Sequence, residues 1–288
     1  MGTREDLIEA ITQKVLTELK AGHCDGQCEE CHGSCAARCS DKVQAMVQEG
    51  ACRISFNGSG AEVPQELALF IDHTKLGPDT TPQEIDRLCE EASDFSFAAV
   101  CVNPVWVKRC AQKLRGTDVK VASVVGFPLG ANAPEVKALE ARRALRDGAR
   151  EVDMVLNIGA LKGGDYELVE NDIAKVVDSC REVGAVCKVI LETGLLADEE
   201  KVIACRLAQS AKADFVKTST GMGHGGATVY DVALMREAIG PAMGVKASGG
   251  IHTSGEARQM IEAGATRIGA SAGIAIVSNG EGEKSGQY

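Results

Sequence analysis

From about residue 64 the chain alternates between two textures. Short apolar runs recur as LALFIDHT (67–74), FAAVCVN (97–103), KVASVVGF (120–127), EVDMVLN (151–157), CKVILET (187–193), DFVKTST (214–220), GVKASGG (244–250) and TRIGAS (266–271). Between them lie stretches such as TPQEIDRLCEEAS, APEVKALEARRALRDGA and SGEARQMIEAGA. In these, apolar residues return at i, i+3 or i+4 opposite a polar face, and several open at Pro or Ser and close at Gly. Eight strands alternating with helices predict an α/β fold, most simply a (β/α)8 TIM barrel over residues 64–277. An open doubly wound sheet is the rival. No G-x-G-x-x-G follows the first strand, which weighs against it.

Residues 1–63 have a different pattern. Leu7, Ile8, Ile11, Val15, Leu16 and Leu19 share one helical face, and Glu9, Gln13, Lys14, Thr17 and Lys20 the other. Thr3 can cap this helix, with Asp6 three residues on. The reading is an amphipathic helix within residues 1–22, a Cys-rich linker over 23–63, and a Gly/Glu/Lys/Ser tail over 278–288. The linker carries HCDGQCEECHGSCAARC, in which Cys24, Cys28, Cys31, Cys35 and Cys39 are spaced C-x3-C-x2-C-x3-C-x3-C between His23 and His32. Zinc or an iron–sulfur cluster could use four of these ligands, although zinc fingers separate their ligand pairs by a longer loop. Cys28 to His32 also spells the haem-attachment pattern, which requires export. Two readings stay open: a metal-binding linker, or a thiol-rich joint without metal.

Charge and composition narrow the partners. Lys plus Arg number 31 against 41 Asp plus Glu, a net charge of −10. Such a surface repels nucleic acid phosphates and anionic membranes, so neither is expected as a partner. No apolar run approaches the roughly 20 residues of a bilayer span. Acids early in MGTREDLIEAITQK and the lack of an apolar h-region speak against a secretory signal. The expected compartment is the cytoplasm, where thiols stay reduced. The other seven of the 12 cysteines are scattered and read as small core residues.

In a barrel, polar residues at strand C-terminal ends carry the chemistry, and alternate residues of each strand face inward. That places Asp153 with Asn157, Lys188 with Ile190 and Glu192, Lys217 with Ser219, and Lys246 with Ser248. Buried charges need a partner or a task. Lys188 paired with Glu192 or Asp153 is the structural alternative to a catalytic role. Two neighbouring ammonium groups repel, and desolvation adds to the effect, so the neutral amine gains. A neutral lysine attacks carbonyls to form a Schiff base, an electron sink for C–C cleavage that needs no metal. Asp153 is placed to move protons. The residues thus point to a lysine-dependent aldolase. Gly249-Gly250 after strand seven and Gly269-Ala270-Ser271 after strand eight sit where this fold binds phosphate, or they simply make tight turns.

The stretches IDHTKL (71–76), VCVNP (100–104), VVGFPLG (124–130), EVDMVLNIGALKGG (151–164), KVILETG (188–194), VKTSTG (216–221) and KASGGI (246–251) resemble the deoxyribose-phosphate aldolase family. The resemblance implies reversible cleavage of 2-deoxy-D-ribose 5-phosphate to D-glyceraldehyde 3-phosphate and acetaldehyde, without a cofactor. It implies that Lys217 is the Schiff-base lysine, Lys246 the second lysine that tunes it, and Asp153 the proton-transfer residue. Asp72, Thr74, Cys101 and Lys188 match further active-site positions, and Thr220, Gly221, Gly249, Gly250 and Ser271 match the phosphate cradle. Met222 and His252 depart from the family's usual residues near the phosphate end. The terminal Tyr288 is a candidate to reach the site and assist proton transfer, or an incidental residue of the tail.

Residues 3–20 resemble the encapsulation peptides that tether enzymes inside bacterial microcompartments, which implies shell proteins as partners. Docking on the chain's own barrel, or assembly into a homo-oligomer, is the alternative use of that apolar stripe. Two other functions remain: a Schiff-base barrel aldolase of different sugar-phosphate specificity, and a metal or redox carrier acting through the Cys cluster.

Overall fold

The computed structural model describes residues 67–223 and 225–278. The 3–20 helix, Cys24, Cys28, Cys31, Cys35, Cys39 and Tyr288 lie outside the described residues. Eight parallel strands close into a barrel in chain order. They are β1 (Ile71–Lys75), β2 (Ala99–Val102), β3 (Lys120–Val125), β4 (Glu151–Val155), β5 (Val186–Ile190), β6 (Phe215–Lys217), β7 (Gly244–Ser248) and β8 (Arg267–Ala270). Pairing of Ile71 with Ile268 and Asp72 with Gly269 closes the ring. The open doubly wound sheet is thereby set aside. Each strand falls on one of the eight apolar runs. The first run begins differently: Ala68–Phe70 form a 3-10 turn and the strand starts at Ile71.

The outer helices among the described residues are α1 (Pro82–Asp94), α2 (Val107–Lys113), α3 (Pro134–Asp147), α4 (Ile158–Lys162), α5 (Tyr166–Arg181), α6 (Asp198–Ser210), α7 (Val229–Ile239), α8 (Ser254–Glu262) and α9 (Gly273–Val277). Their starts are written locally. Thr81 with Glu84, and Thr253 with Glu256, form reciprocal capping boxes at α1 and α8. Gly148 ends α3 at φ 117°, a conformation that glycine adopts without a Cβ clash.

The apolar side chains fill the space between strands and helices, with Ile71, Met154, Leu156, Ile173 and Leu207 fully enclosed. Cys89, Cys110, Cys180, Cys187 and Cys205 are buried free thiols, as expected of small core residues. Lys137 of α3 is buried as well. Its Nζ donates to Asp172 of α5 and to the Val155 carbonyl at 2.9 Å, tying two helices to the end of β4. No helix among the described residues is long and apolar enough to cross a membrane.

Candidate active site

The barrel interior holds a network of charges rather than an apolar plug. Asp72, Asp153, Lys188 and Lys246 are wholly buried and Lys217 is 2% exposed. Strand register brings them together. Asp153 of β4 pairs with Lys188 of β5, and Lys217 of β6 pairs with Lys246 of β7. Ile190, not Lys188, lies beside Lys217, so Lys188 sits one inward layer deeper.

Asp153 is the hub. Its Oδ2 accepts from Lys217 Nζ at 2.9 Å and from Lys246 Nζ at 2.7 Å, and its Oδ1 accepts from Lys188 Nζ at 2.8 Å. The Cys101 thiol also points at Oδ2, 3.9 Å away. Lys246 reaches across β8 to donate to Asp72 of β1. The crossing requires Gly269, where a Cβ would lie 2.9 Å from Lys246 Cε, so that position has no room for a side chain while Lys246 keeps its place.

Two members of the network escaped the sequence reading. Glu151 binds Lys188, and Arg267 binds Asp72 at 2.7 Å and Glu151 at 3.0 Å. Both open their strands, two residues below Asp153 and Gly269. Extending the inward alternation by one step would have found them. Four cations then face three carboxylates. Lys217 contacts Asp153 alone, whereas Lys188 reaches three carboxylates and Lys246 two. The surplus positive charge means that one ammonium can lose its proton without leaving a carboxylate uncompensated.

The electrostatics correct one expectation. Burial pulls Lys246 down, but Asp153 and Asp72 outweigh it and hold the group above the ordinary lysine range. Lys188 is raised in the same way by Asp153, Glu151 and Asp72. Lysine–lysine repulsion therefore does not neutralise Lys246. Burial pushes Asp153 up, yet Lys188, Lys217 and Lys246 together keep it well below the usual carboxylate value.

Glu192 requires a second correction. It does not pair with Lys188. The backbone turns left-handed there, at φ 58° and ψ 61°, and breaks the inward alternation. Asn157 likewise leaves the Asp153 face to cap α4, accepting from Ala160 N–H at 3.1 Å. Thr74 donates to the Asp72 carbonyl at 2.8 Å.

Beside the charges, on β2 and β3, lies an apolar wall whose Ala99, Ala122 and Val124 are in register with Asp72, Glu151 and Asp153. Leu76, Cys101, Ala122 and Val124 form a cluster against which Phe127 and Met222 pack. Met222 thus contributes to this wall.

Of the candidate phosphate residues, Gly249 and Gly250 take φ 89° and 76° in the turn after β7. The loop after β6 folds onto them. Ala227 N–H donates to the Gly249 carbonyl at 2.9 Å, and a Cβ at Gly226 would lie 2.4 Å from that oxygen. Ser271 follows β8, whose Gly269 pairs with Ser248 of β7, so Gly249–Gly250 and Ser271 lie just beyond the ends of adjacent strands. Gly221 has φ 83°. Thr220 differs from the expected cradle role: its N–H and hydroxyl both donate to Glu192. The His252 Nδ1 is buried without a partner among the described residues.

A parallel barrel with two lysines sharing one buried aspartate has the groups of Schiff-base chemistry. The family model for DeoC/LacD family aldolases matches residues 67–279. The chain belongs to the DeoC/LacD family of aldolases. It is a class I aldolase, a carbon–carbon lyase. A deoxyribose-phosphate aldolase of Listeria innocua is 59% identical over 222 residues, covering 77% of this chain and 99% of its own. One from Bacillus licheniformis, deoxyribose-phosphate aldolase 1, is 61% identical over 213 residues, covering 74% and 95%. Among solved structures, the tetrameric deoxyribose phosphate aldolase of Aeropyrum pernix superposes with a TM-score of 0.71 at 35% identity. It covers 81% of this chain and 95% of that one. No cluster of three or more His, Cys, Asp or Glu side chains in this aldolase is arranged to hold a metal ion among the described residues.

Proposed function

We propose that this aldolase cleaves 2-deoxy-D-ribose 5-phosphate reversibly to D-glyceraldehyde 3-phosphate and acetaldehyde, with Lys217 as the nucleophile. The observation that carries the reading is the shared contact of Lys217 and Lys246 with one buried carboxylate oxygen of Asp153. The neutral Lys217 amine attacks the C1 aldehyde of the open-chain sugar. The carbinolamine loses water to give an iminium, and the C3 hydroxyl proton leaves to a base. The C2–C3 bond then breaks, its electron pair passing into the iminium as an enamine, and C3 departs as the aldehyde of glyceraldehyde 3-phosphate. Protonation at C2 and hydrolysis release acetaldehyde and restore the amine.

Asp153 is the proton carrier of this cycle, directly or through one water. Lys246 keeps its charge beside it and supplies the fixed positive field, while Asp72, Thr74 and Lys188 hold that pair in place. Cys101 and the apolar wall face the two-carbon fragment, which has no polar group beyond its reacting carbon. The phosphate lies at the Gly221, Gly249–Gly250 and Ser271 end, in the loops after β6, β7 and β8 where this fold commonly binds phosphate. Assay of deoxyribose 5-phosphate cleavage with and without chelator tests the proposal. Equal rates are expected, and absence of cleavage would reject the substrate assignment.

The segment before the barrel belongs to the same reading. We infer that residues 3–20 bind a microcompartment shell, because their apolar stripe suits helix-in-groove docking and acetaldehyde is volatile and reactive. Residues 1–22 fused to a fluorescent protein should gather into foci with co-expressed shell proteins; diffuse fluorescence would count against it. Cys24, Cys28, Cys31, Cys35 and Cys39 then form either a zinc or iron–sulfur site or a plain thiol-rich joint, and Tyr288 an additional proton donor. Assembly of like chains, as in the tetramer named for the Aeropyrum pernix relative, completes the picture.

A further inference from the structure

Three non-glycine residues among those described have positive φ: Ser96 at 54°, Glu192 at 58° and Lys212 at 62°. Ser96 and Lys212 are exposed and lie just beyond helix C-termini, where a left-handed residue closes the last turn. Glu192 is 3% exposed and follows a strand. Such a conformation in a buried, non-glycine residue persists only where its surroundings impose it, and it concentrates at functional sites.

The surroundings are specific. Flanking backbone is pinned to β6 and its extension: Leu191 N–H donates to the Lys217 carbonyl at 2.9 Å and Thr193 N–H to the Thr218 carbonyl at 3.0 Å. The left-handed corner between these bonds redirects the Glu192 side chain from the barrel axis toward the loop after β6. There its Oε2 accepts the Thr220 hydroxyl at 2.5 Å and the Thr220 N–H at 3.2 Å. The same hydroxyl accepts Met222 N–H at 3.1 Å. Gly223 packs on the carboxyl group so closely that a Cβ there would lie 3.1 Å from Cδ. One acidic side chain thus holds the two ends of the Thr220–Gly223 loop, and Thr220 in turn holds Met222.

We infer that Glu192 is a positioning residue for phosphate recognition, a clamp that fixes the Thr220–Gly223 loop, with Thr220 as its strut rather than a phosphate ligand. This rests on the proposed function, since the clamped loop is one wall of the phosphate end. Glu192 makes no contact with Lys217, Lys246 or Asp153 through its side chain, so the covalent step is separate from the clamp.

The test compares deoxyribose 5-phosphate with 2-deoxyribose, which lacks the phosphate, in wild type, Glu192→Ala and Glu192→Gln. Losing a charge-assisted grip should raise KM for the phosphorylated sugar roughly tenfold or more in Glu192→Ala. The kcat/KM for 2-deoxyribose should hold within about twofold, as uniform binding is lost and not transition-state chemistry. Glu192→Gln, which keeps the volume and an acceptor oxygen, should fall between. Acetaldehyde with borohydride should label Lys217 equally in all three, which also reports that the variants are folded. Equal losses on both sugars, no loss on either, or lost labelling would overturn the clamp. Wild type that fails on deoxyribose 5-phosphate itself rejects the substrate assignment instead.

Discussion

Lys217→Ala is expected to abolish borohydride-trapped labelling by acetaldehyde and to lower kcat/KM by roughly four orders of magnitude or more, the scale of loss when a covalent nucleophile is removed. The neighbouring lysines should not substitute. Lys246 and Lys188 are held as ammonium groups by Asp153 with Asp72 and Glu151, and a charged amine has no lone pair to offer. Mass analysis of the trapped protein locates the adduct. Labelling at Lys246 in the variant would show that the nucleophile is assigned to the wrong strand.

Asp153→Asn is expected to damage both activity and stability. The carboxylate is the common partner of Lys188, Lys217 and Lys246. Its loss leaves buried ammonium groups under-compensated, which costs about 3–5 kcal/mol when a buried pair is broken. Removal of the proton carrier should lower kcat roughly 100- to 10,000-fold. The pH dependence has a definite sign. In wild type, Asp153 lies below its unfolded value, so its contribution is present above the unfolded carboxylate pKa and is lost in acid. Lys188 and Lys246 lie above theirs, so their contribution is present below the unfolded lysine pKa and is lost only in strong alkali. In Asp153→Asn the leading counter-charge to burial disappears, and both lysines titrate at lower pH than in wild type. The stability gap between the two proteins should therefore narrow as pH rises from 7 toward about 10. Urea unfolding across that range measures it; a gap that widens would mean Asp153 is not the partner that keeps these lysines charged.

The fold and most of the site were legible before any coordinates. Apolar runs with helical spacers are imposed by local backbone geometry, and a strand's period of two decides which side chains share a face. That is why Asp153, Lys217 and Lys246 could be read off their strands, and why Glu151 and Arg267 were one alternation away. The alternation failed at Glu192, where two backbone bonds to the β6 chain force a left-handed corner that no local pattern announces. Tertiary structure alone decided the partners. Lys246 and Asp72 stand 174 residues apart and meet because the barrel closes and Gly269 leaves the passage open. It also decided the sign at Lys246: counting lysines gives repulsion, but carboxylates from β1 and β4 arrive on the same ammonium and reverse it. Local periodicity determines where a side chain points; closure of the ring determines which charge it finds there.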